Sequence, residues 1–297
     1  MNSIVLGREC NNNCVFCSID SCSPKNGFVK STRKVLEMID LAHRENSTQL
    51  QFTGGEPTIR PDLVKIVKYA AKWFKEISID TNGRRLQDKK FLEELVFAGV
   101  NSFEVSLLGI TPSTHDALSG VSGSFSETIQ ALENISELKK ELAIGLSVEF
   151  VLTKKNLNEI AELDSFLKRF SIDSISIIHV KPSGRAKDNF FELCPKYSES
   201  CREINKTNFT FEYKLFNIPA CLLNAEKRKH LSLPPDVKLV FSKQQSTNFL
   251  EGVSRASVKK QECSGCVFFQ RCPGVWHYYA KKYGLNEIKP CMKRAEE

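Results

Sequence analysis

The sequence lacks an apolar run long enough to cross a membrane, and it lacks the basic and then apolar start of a secretory signal. A membrane-spanning helix needs about 20 mostly apolar residues, and a signal peptide needs an apolar segment after a charged one. Helix-turn-helix, zinc-finger and RNA-binding signatures are absent as well. We therefore expect a cytoplasmic protein with no membrane partner and no signature that favours nucleic acid.

The length and charge of the chain limit its organisation. It has 297 residues, of which 41% are hydrophobic and 26% charged, enough for one large core and a small second unit. Residues 216–297 contain 14 Lys and Arg against 7 Asp and Glu, which accounts for the whole net charge of +7. This basic segment could attract an acidic peptide or a nucleic acid, or it could be a solvated lysine-rich face.

Three of the eleven cysteines, Cys10, Cys14 and Cys17, have the spacing C-x3-C-x2-C. Thiolates select iron–sulfur clusters, zinc or cuprous ion, and three of them leave one iron of a [4Fe-4S] cluster open to a non-protein ligand. A structural zinc site would need a fourth ligand. The nearest candidate, Cys22, would close the site, and no His or Cys follows at zinc-finger spacing.

A second motif, Gly54-Gly55-Glu56-Pro57-Thr58, follows a strand-like segment at residues 50–53. The cysteine spacing, with an aromatic residue before the last cysteine, and this GGEP segment together resemble the radical S-adenosylmethionine (radical SAM) superfamily. The resemblance implies that the amino and carboxylate groups of SAM chelate the open iron.

The same resemblance implies roles for five residues in binding SAM. Gly54, Gly55 and Glu56 would hold its amino end, Ser106 would contact its carboxylate or ribose, and Glu149 would accept from the ribose hydroxyls. An inward-facing polar residue on a barrel strand is equally often a layer or solvent residue, so Ser106 and Glu149 have that alternative interpretation. Lys181 and Arg185 follow the sixth strand and could bind a carboxylate or be solvated turn residues.

Strand-like and helix-like segments alternate through residue 180. The six predicted strands are 3–7, 50–53, 77–80, 103–107, 146–151 and 174–178. Ser124 and Glu127 form a capping-box pattern at the start of one intervening helix. Six β–α units predict parallel strands whose carboxyl ends share one face, and that face carries the active site in barrels of this kind. The predicted fold class is α/β, a partial (β/α)6 barrel open at the side, as in the radical SAM core.

Beyond residue 180 the periodicity fades, with a helix predicted at 196–205 and a strand at 209–211. We predict a radical SAM barrel over residues 1–215 and a second, cluster-binding domain over residues 216–297. No peptide-binding winged domain is expected before the first strand. Recognition of a peptide leader would then fall to the basic C-terminal domain or to a separate partner.

Cys263, Cys266 and Cys272 form C-x2-C-x5-C near the end of the chain. The pattern resembles the SPASM and twitch domains of radical SAM enzymes, although Trp276 stands where those domains have a further cysteine. The resemblance implies one auxiliary [4Fe-4S] cluster, whose fourth ligand is Cys221 or Cys291, with Cys221 preferred. A structural zinc ribbon is the alternative. Cys194 and Cys201 are interpreted as ordinary thiols.

The resemblance finally implies a reaction and its partners. The protein would be an enzyme that reductively cleaves SAM to a 5′-deoxyadenosyl radical, which abstracts hydrogen from a substrate. A residue of a ribosomally made peptide is the favoured substrate, and a small metabolite or cofactor precursor is the alternative. A flavodoxin or ferredoxin would supply electrons. A non-catalytic two-cluster electron carrier is disfavoured, because a carrier needs no SAM segment.

Overall fold

The structure is a computed structural model that describes residues 2–19, 29–45, 47–232, 238–242, 245–248 and 256–292. Cys22 lies outside the described residues. The strands are β1 (Asn2–Val5), β2 (Gln49–Thr53), β3 (Glu76–Thr81), β4 (Ser102–Ser106), β5 (Gly145–Leu152), β6 (Ser174–His179), β7 (Glu212–Phe216), β8 (Lys238–Ser242), β9 (Gln245–Asn248), β10 (Ser257–Val258) and β11 (Val275–Trp276). The helices are α1 (Thr32–Arg44), α2 (Leu63–Ala70), α3 (Lys89–Ala98), α4 (Pro112–Ser119), α5 (Ser124–Leu138), α6 (Ile160–Leu167), α7 (Arg185–Asp188), α8 (Phe190–Leu193), α9 (Tyr197–Lys206), α10 (Ala225–Arg228) and α11 (His277–Tyr283).

The main sheet has the strand order β7-β6-β5-β4-β3-β2-β1-β8-β9. Strands β1 to β7 are parallel to their neighbours, β8 is parallel to β1, and β9 is antiparallel to β8. Among the described strands, β7 and β9 are the two ends and do not pair, so the barrel is open. The predicted partial α/β barrel is confirmed.

The sheet contains two parallel strands, β7 and β8, beyond the six predicted ones. The strand expected at residues 209–211 is wrong in position, because the chain pairs with β6 only from Glu212 to Phe216. Phe209 instead packs against Tyr213, with the two rings tilted by 42° and their centroids 4.7 Å apart. The apolar pattern at residues 209–211 therefore indicated a strand in this part of the chain but not which residues form it.

The strands bury one face and leave the other polar. In β3, β4 and β5, apolar residues such as Ile79, Val105 and Val148 are fully buried, and they alternate with half-buried polar ones. A closed α/β barrel fills its interior with branched apolar side chains. Here the main apolar core lies between the sheet and the helices, so the inner face of the barrel is polar and partly accessible.

The predicted capping box at the start of α5 is wrong. The helix begins after Gly123, and no side chain of the N-cap residue caps it. Instead, Asp116 of α4 accepts from the Phe125 N–H at 2.8 Å and from the Ser124 hydroxyl at 3.0 Å. Glu127 is ion-paired with Arg84. A carboxylate from the preceding helix thus satisfies a backbone donor in the first turn of α5.

The C-terminal segment packs on the carboxyl-end side of the barrel through a second apolar cluster. Its buried members include Val180, Phe190, Tyr197, Trp276 and Tyr279. Strand β7 ends at Phe216, while β8, further along the chain, joins the main sheet beside β1. The division into domains at residue 215 stays a prediction. In the described part of the chain, no helix is long and apolar enough to span a membrane.

Candidate functional site

Residues 8–19, here called the cysteine loop, follow β1 and carry Cys10, Cys14 and Cys17. The ends of β2 and β3 and the segments after β4 and β6 all contact this loop through hydrogen bonds. The prediction that the carboxyl ends of the strands gather the motifs into one site agrees with these contacts.

The GGEP segment holds the start of the cysteine loop by backbone contacts. The Gly55 N–H donates to the Gly7 carbonyl at 2.9 Å, and the Glu56 N–H donates to the Glu9 carbonyl at 2.7 Å. A Cβ on Gly55 would lie 2.0 Å from the Glu9 oxygen, and one on Gly54 would lie 2.6 Å from the Gly7 oxygen. Glycine is required here because the two backbones approach too closely for any side chain.

The Glu56 side chain links β2 to β3 rather than projecting outward. Its carboxylate accepts from the Thr58 N–H at 2.9 Å, the Thr58 hydroxyl at 2.6 Å, the Thr81 hydroxyl at 2.7 Å and the Asn82 N–H at 2.7 Å. Burial raises the pKa of Glu56, and these hydrogen bonds oppose the rise. The Asn82 amide in turn donates to Asn11 Oδ1 at 2.7 Å, so Glu56 positions a contact to the cysteine loop. A direct contact of its carboxylate with SAM stays a prediction.

Arg84, which the sequence did not indicate, also holds the cysteine loop. Its guanidinium donates to the Asn11 carbonyl and, at 3.1 Å, to Asn12 Oδ1. Its Nε pairs with Glu127 of α5. The only sequence signal was its place just after the Asn82-Gly83 turn that ends β3.

The other side of the cysteine loop is held by the segment after β6. The Arg185 N–H donates to the Cys17 carbonyl at 2.9 Å, and its guanidinium donates to the Asn13 carbonyl at 3.0 Å. Gly184 has φ of +55°, and a Cβ there would lie 2.5 Å from the Cys17 oxygen. Arg185 thus contacts the cysteine loop itself, through both its backbone and its guanidinium.

The three cysteines fit a thiolate cluster site. All three are half-buried on one short loop. Burial, and to a smaller extent the charges of Cys10 and Cys17, raises the pKa of Cys14 to about 12. Thiolates this close repel one another unless a metal compensates their charge. Among the described residues, no three donors converge on a single ion position. A cubane cluster does not require that, because its cysteines bind different irons.

The inner face of the barrel places Ser106 and Glu149 side by side, since β4 and β5 pair them in register. Glu149 is one of three interacting carboxylates with Asp80 and Glu104, and burial followed by the charges of those two raises its pKa. Lys181 lies near both Glu149 and Cys17. Burial lowers the pKa of Lys181 below its ordinary value, and the charges of these two groups oppose the fall. Ser106, Glu149 and Lys181 therefore lie close together on the inner face of the barrel. Their contact with SAM stays a prediction.

The C-terminal cysteines converge on a second site. Cys221, Cys263, Cys266 and Cys272 line one pocket together with apolar residues that include Phe269 and Val275. Cys291 lies beside this pocket. Its charge raises the pKa of the Cys221 thiol, and its carbonyl accepts a hydrogen bond from the Val267 N–H. All five thiols are thus gathered in one region. Which of Cys221 and Cys291 is a ligand stays open.

Cys194 and Cys201 lie outside both cysteine sites. They are 0% and 2% exposed and pack in apolar clusters.

An open parallel barrel with three cysteines on the loop after its first strand defines a class of iron–sulfur protein with its site at the carboxyl ends of the strands. Residues 4–167, more than half of the chain, match the Radical SAM superfamily. The chain therefore belongs to the radical SAM superfamily.

Two curated relatives represent different members of that superfamily. Mycofactocin maturase MftC of Mycobacterium tuberculosis is 30% identical over 190 residues, which cover 64% of this chain and 47% of MftC. A protein described as "Probable GTP 3',8-cyclase" of Sulfolobus acidocaldarius is 30% identical over 224 residues, which cover 72% of this chain and 69% of that protein. The chain thus spans about half the length of MftC.

Solved structures share the fold. SuiB of Streptococcus suis bound to S-adenosylmethionine superposes with a TM-score of 0.63 at 16% identity, over 94% of this chain and 73% of SuiB. The anSMEcpe protein with AdoMet and a peptide bound gives a TM-score of 0.61 at 16% identity, over 98% of this chain and 92% of that one. At these identities the likeness extends to the fold alone.

The close approach at Gly55 predicts that Gly55→Ala displaces the cysteine loop. We expect the variant to stay folded by circular dichroism but to take up less iron than the wild type after anaerobic reconstitution, because the added Cβ would overlap the Glu9 carbonyl. Gly145→Ala is the matched control, since the new Cβ would lie 3.0 Å from the movable Ser102 hydroxyl and in ordinary contact with Ser102 Cβ and the Asn101 carbonyl. Full iron uptake by Gly55→Ala would contradict the role given to this contact.

The buried carboxylates predict an unusual dependence of stability on pH. Burial, and then Asp80, raises the pKa of Glu104 to about 7 from an ordinary 4.5, so the folded state holds this proton more tightly than the unfolded state. Stability from this group falls as pH rises from about 4.5 and is fully lost above about 7. As pH rises from 5 to 8, the unfolding free energy of the wild type should therefore fall by on the order of 1–3 kcal/mol relative to that of Glu104→Gln.

The control for Glu104 is Glu94→Gln, which changes an exposed glutamate on α3. Its difference from wild type should stay constant over the same pH range in anaerobic urea unfolding. A pH-independent difference for Glu104→Gln would show that this carboxylate titrates normally.

Proposed function

We propose that this protein is a radical SAM enzyme that reductively cleaves S-adenosylmethionine and abstracts hydrogen from a residue of a ribosomally synthesised peptide. The observation that carries the SAM chemistry is the three-cysteine loop held against the GGEP backbone at the carboxyl ends of the parallel strands. Family membership supports it.

Cys10, Cys14 and Cys17 would hold a [4Fe-4S] cluster with one open iron. Such a cluster, when bound and reduced, supplies the electron that cleaves the SAM sulfonium. The residues of the chain itself would orient the cysteine loop and SAM. Asn82, Arg84 and Arg185 fix the loop by hydrogen bonds to its backbone and amides. The GGEP backbone, Ser106 and Glu149 would hold SAM, and Lys181 would meet a carboxylate beside Glu149.

The C-terminal pocket would hold the auxiliary [4Fe-4S] cluster. Cys221 is the proposed fourth ligand, because it lines the pocket together with Cys263, Cys266 and Cys272. Cys291 is the alternative. Four thiolates favour a closed cluster that exchanges electrons over one that binds substrate. The second domain, proposed as residues 216–297, would be built around this site.

A peptide substrate is supported by two comparisons. MftC is named as a mycofactocin maturase, and SuiB is known bound to its precursor peptide SuiA. The open side of the barrel leaves room for a chain too large to be enclosed. We also propose a cytoplasmic location and a flavodoxin or ferredoxin as electron donor, since a low-potential cluster needs a reducing environment.

A small substrate is the second candidate. The GTP 3',8-cyclase relative from Sulfolobus acidocaldarius aligns over more of this chain, and of its own length, than MftC does. The polar inner face of this barrel would suit a small polar molecule as well as a peptide side chain. Mass spectrometry of the products distinguishes the two.

The function is tested by anaerobic incubation with dithionite, SAM and candidate peptides or GTP. We expect 5′-deoxyadenosine and methionine from the wild type, and none from Cys10→Ala, Cys14→Ala or Cys17→Ala, because the open iron exists only with three thiolate ligands. Peptide mass should change when the correct precursor is present. SAM cleavage that persists in a Cys10/Cys14/Cys17 triple variant would refute the assignment, and a change in GTP alone would favour the second candidate.

The auxiliary site predicts unequal effects of two cysteine changes. Cys221→Ala should lower the iron content of the C-terminal site or change its electron paramagnetic resonance spectrum, because a cluster with three protein ligands is more labile than one with four. Cys291→Ala should leave both unchanged. The reverse pattern would make Cys291 the ligand, and zinc in place of iron at this site would refute the auxiliary cluster.

A further inference from the structure

The segment that contains α7 and α8, residues 185–193, lies between the cysteine loop and the surface. Its inner side contacts the loop directly, since the Arg185 N–H donates to the Cys17 carbonyl at 2.9 Å and the Asn189 amide donates to the Val15 carbonyl at 3.2 Å. Phe16 packs against the apolar cluster that contains Ala186 and Phe190. The segment therefore lies directly against the backbone of the cysteine loop.

The outer side of the same segment presents lysines and aromatic rings together. Lys187 lies 5.5 Å from the ring centroid of Tyr278, and Lys282 lies 4.3 Å from that of Phe191. The Lys154 ammonium donates to the Phe191 carbonyl at 2.9 Å. We call these five residues the lysine–aromatic patch. They come from three separate parts of the chain, and all five are exposed.

The charge of the patch is positive but not uniform. Asp188 and Glu192 are exposed in the same segment, so a partner would meet three lysines beside two carboxylates. Exposed aromatic rings under ammonium groups keep both apolar and positive contact surface available. A mixed, weakly apolar patch of this kind fits the small, charge-steered contacts of transient complexes better than a permanent interface.

Buried Phe190 connects the patch to the cysteine loop. Its ring centroid lies 5.9 Å from that of Phe191 and 6.3 Å from that of Tyr278, and Phe16, next to Cys17, packs against the same apolar cluster. Packed atoms thus extend from the exposed rings to the loop. Electron transfer through protein is fastest over a short, well-packed path.

We propose that the lysine–aromatic patch is the docking site of an acidic one-electron carrier protein, of the flavin or iron–sulfur kind. The inference rests on the proposed function, because it requires a cluster at Cys10, Cys14 and Cys17. One electron leaves the reduced carrier, which is oxidised by one unit, and enters that cluster, which is reduced by one unit. No bond forms or breaks in this step.

The test measures reduction of the cluster, which needs neither SAM nor substrate. Reconstituted wild type and Lys187→Glu/Lys282→Glu are mixed anaerobically with reduced flavodoxin, and cluster bleaching is followed by stopped-flow absorbance. At low salt we expect the double variant to be reduced about tenfold more slowly or worse, with the difference shrinking as salt screens the charges. Reduction by dithionite should be equal in both proteins.

Two further variants make the result specific to the patch. Lys65→Glu/Lys68→Glu carries the same change of charge on exposed positions of α2, which packs beside α1 and α3, and it should keep the wild-type rate. Lys187→Gln/Lys282→Gln removes charge without reversing it and should lose less than the Glu variant.

Three results would overturn the proposal. One is equal slowing of the α2 control, which would show only a long-range field effect. Another is an unchanged rate with flavodoxin in the Lys187→Glu/Lys282→Glu variant. The third is a raised KM for an acidic precursor peptide with flavodoxin reduction unchanged, which would make the patch a peptide surface. A protein that takes up no cluster at Cys10, Cys14 and Cys17 would instead contradict the proposed function.

Discussion

The organisation of this protein depends on the backbone contacts that hold the cysteine loop across the carboxyl ends of the strands. Three thiolates on one short loop repel each other, and an unrestrained loop would also lose conformational entropy on ordering. Contacts from Gly55, Glu56, Asn82 and Arg185 hold the loop in one conformation. The barrel thus acts as a rigid frame for a loop that could not order itself.

The inner face of the barrel is polar, because the main apolar core lies between the sheet and the helices. Burial raises the pKa of Asp80, Glu104 and Glu149, and the neighbouring carboxylate charges raise the pKa of Glu104 and Glu149 further. Such a cluster destabilises the folded protein at neutral pH and is retained where a polar ligand is to be bound. The stability comes instead from the apolar core between the sheet and the helices.

The barrel could be predicted from the sequence more fully than the residues that hold the cysteine loop in place. The alternation of strand-like with helix-like segments located the first six strands, and cysteine spacing located the loop. Arg84 could not be foreseen, since its contacts with Asn11 and Asn12 join positions more than 70 residues apart. The true cap of α5, Asp116, was missed for a related reason, because it belongs to the preceding helix.

The central claim is that the cysteine loop holds a cluster with one iron open to SAM. Mössbauer spectroscopy of protein reconstituted with 57Fe, recorded with and without SAM, tests it most directly. The account predicts that SAM changes the isomer shift and quadrupole splitting of a single iron of one cluster, and that the signals of the proposed auxiliary cluster stay unchanged. A spectrum unchanged by SAM, at full iron loading, would contradict it.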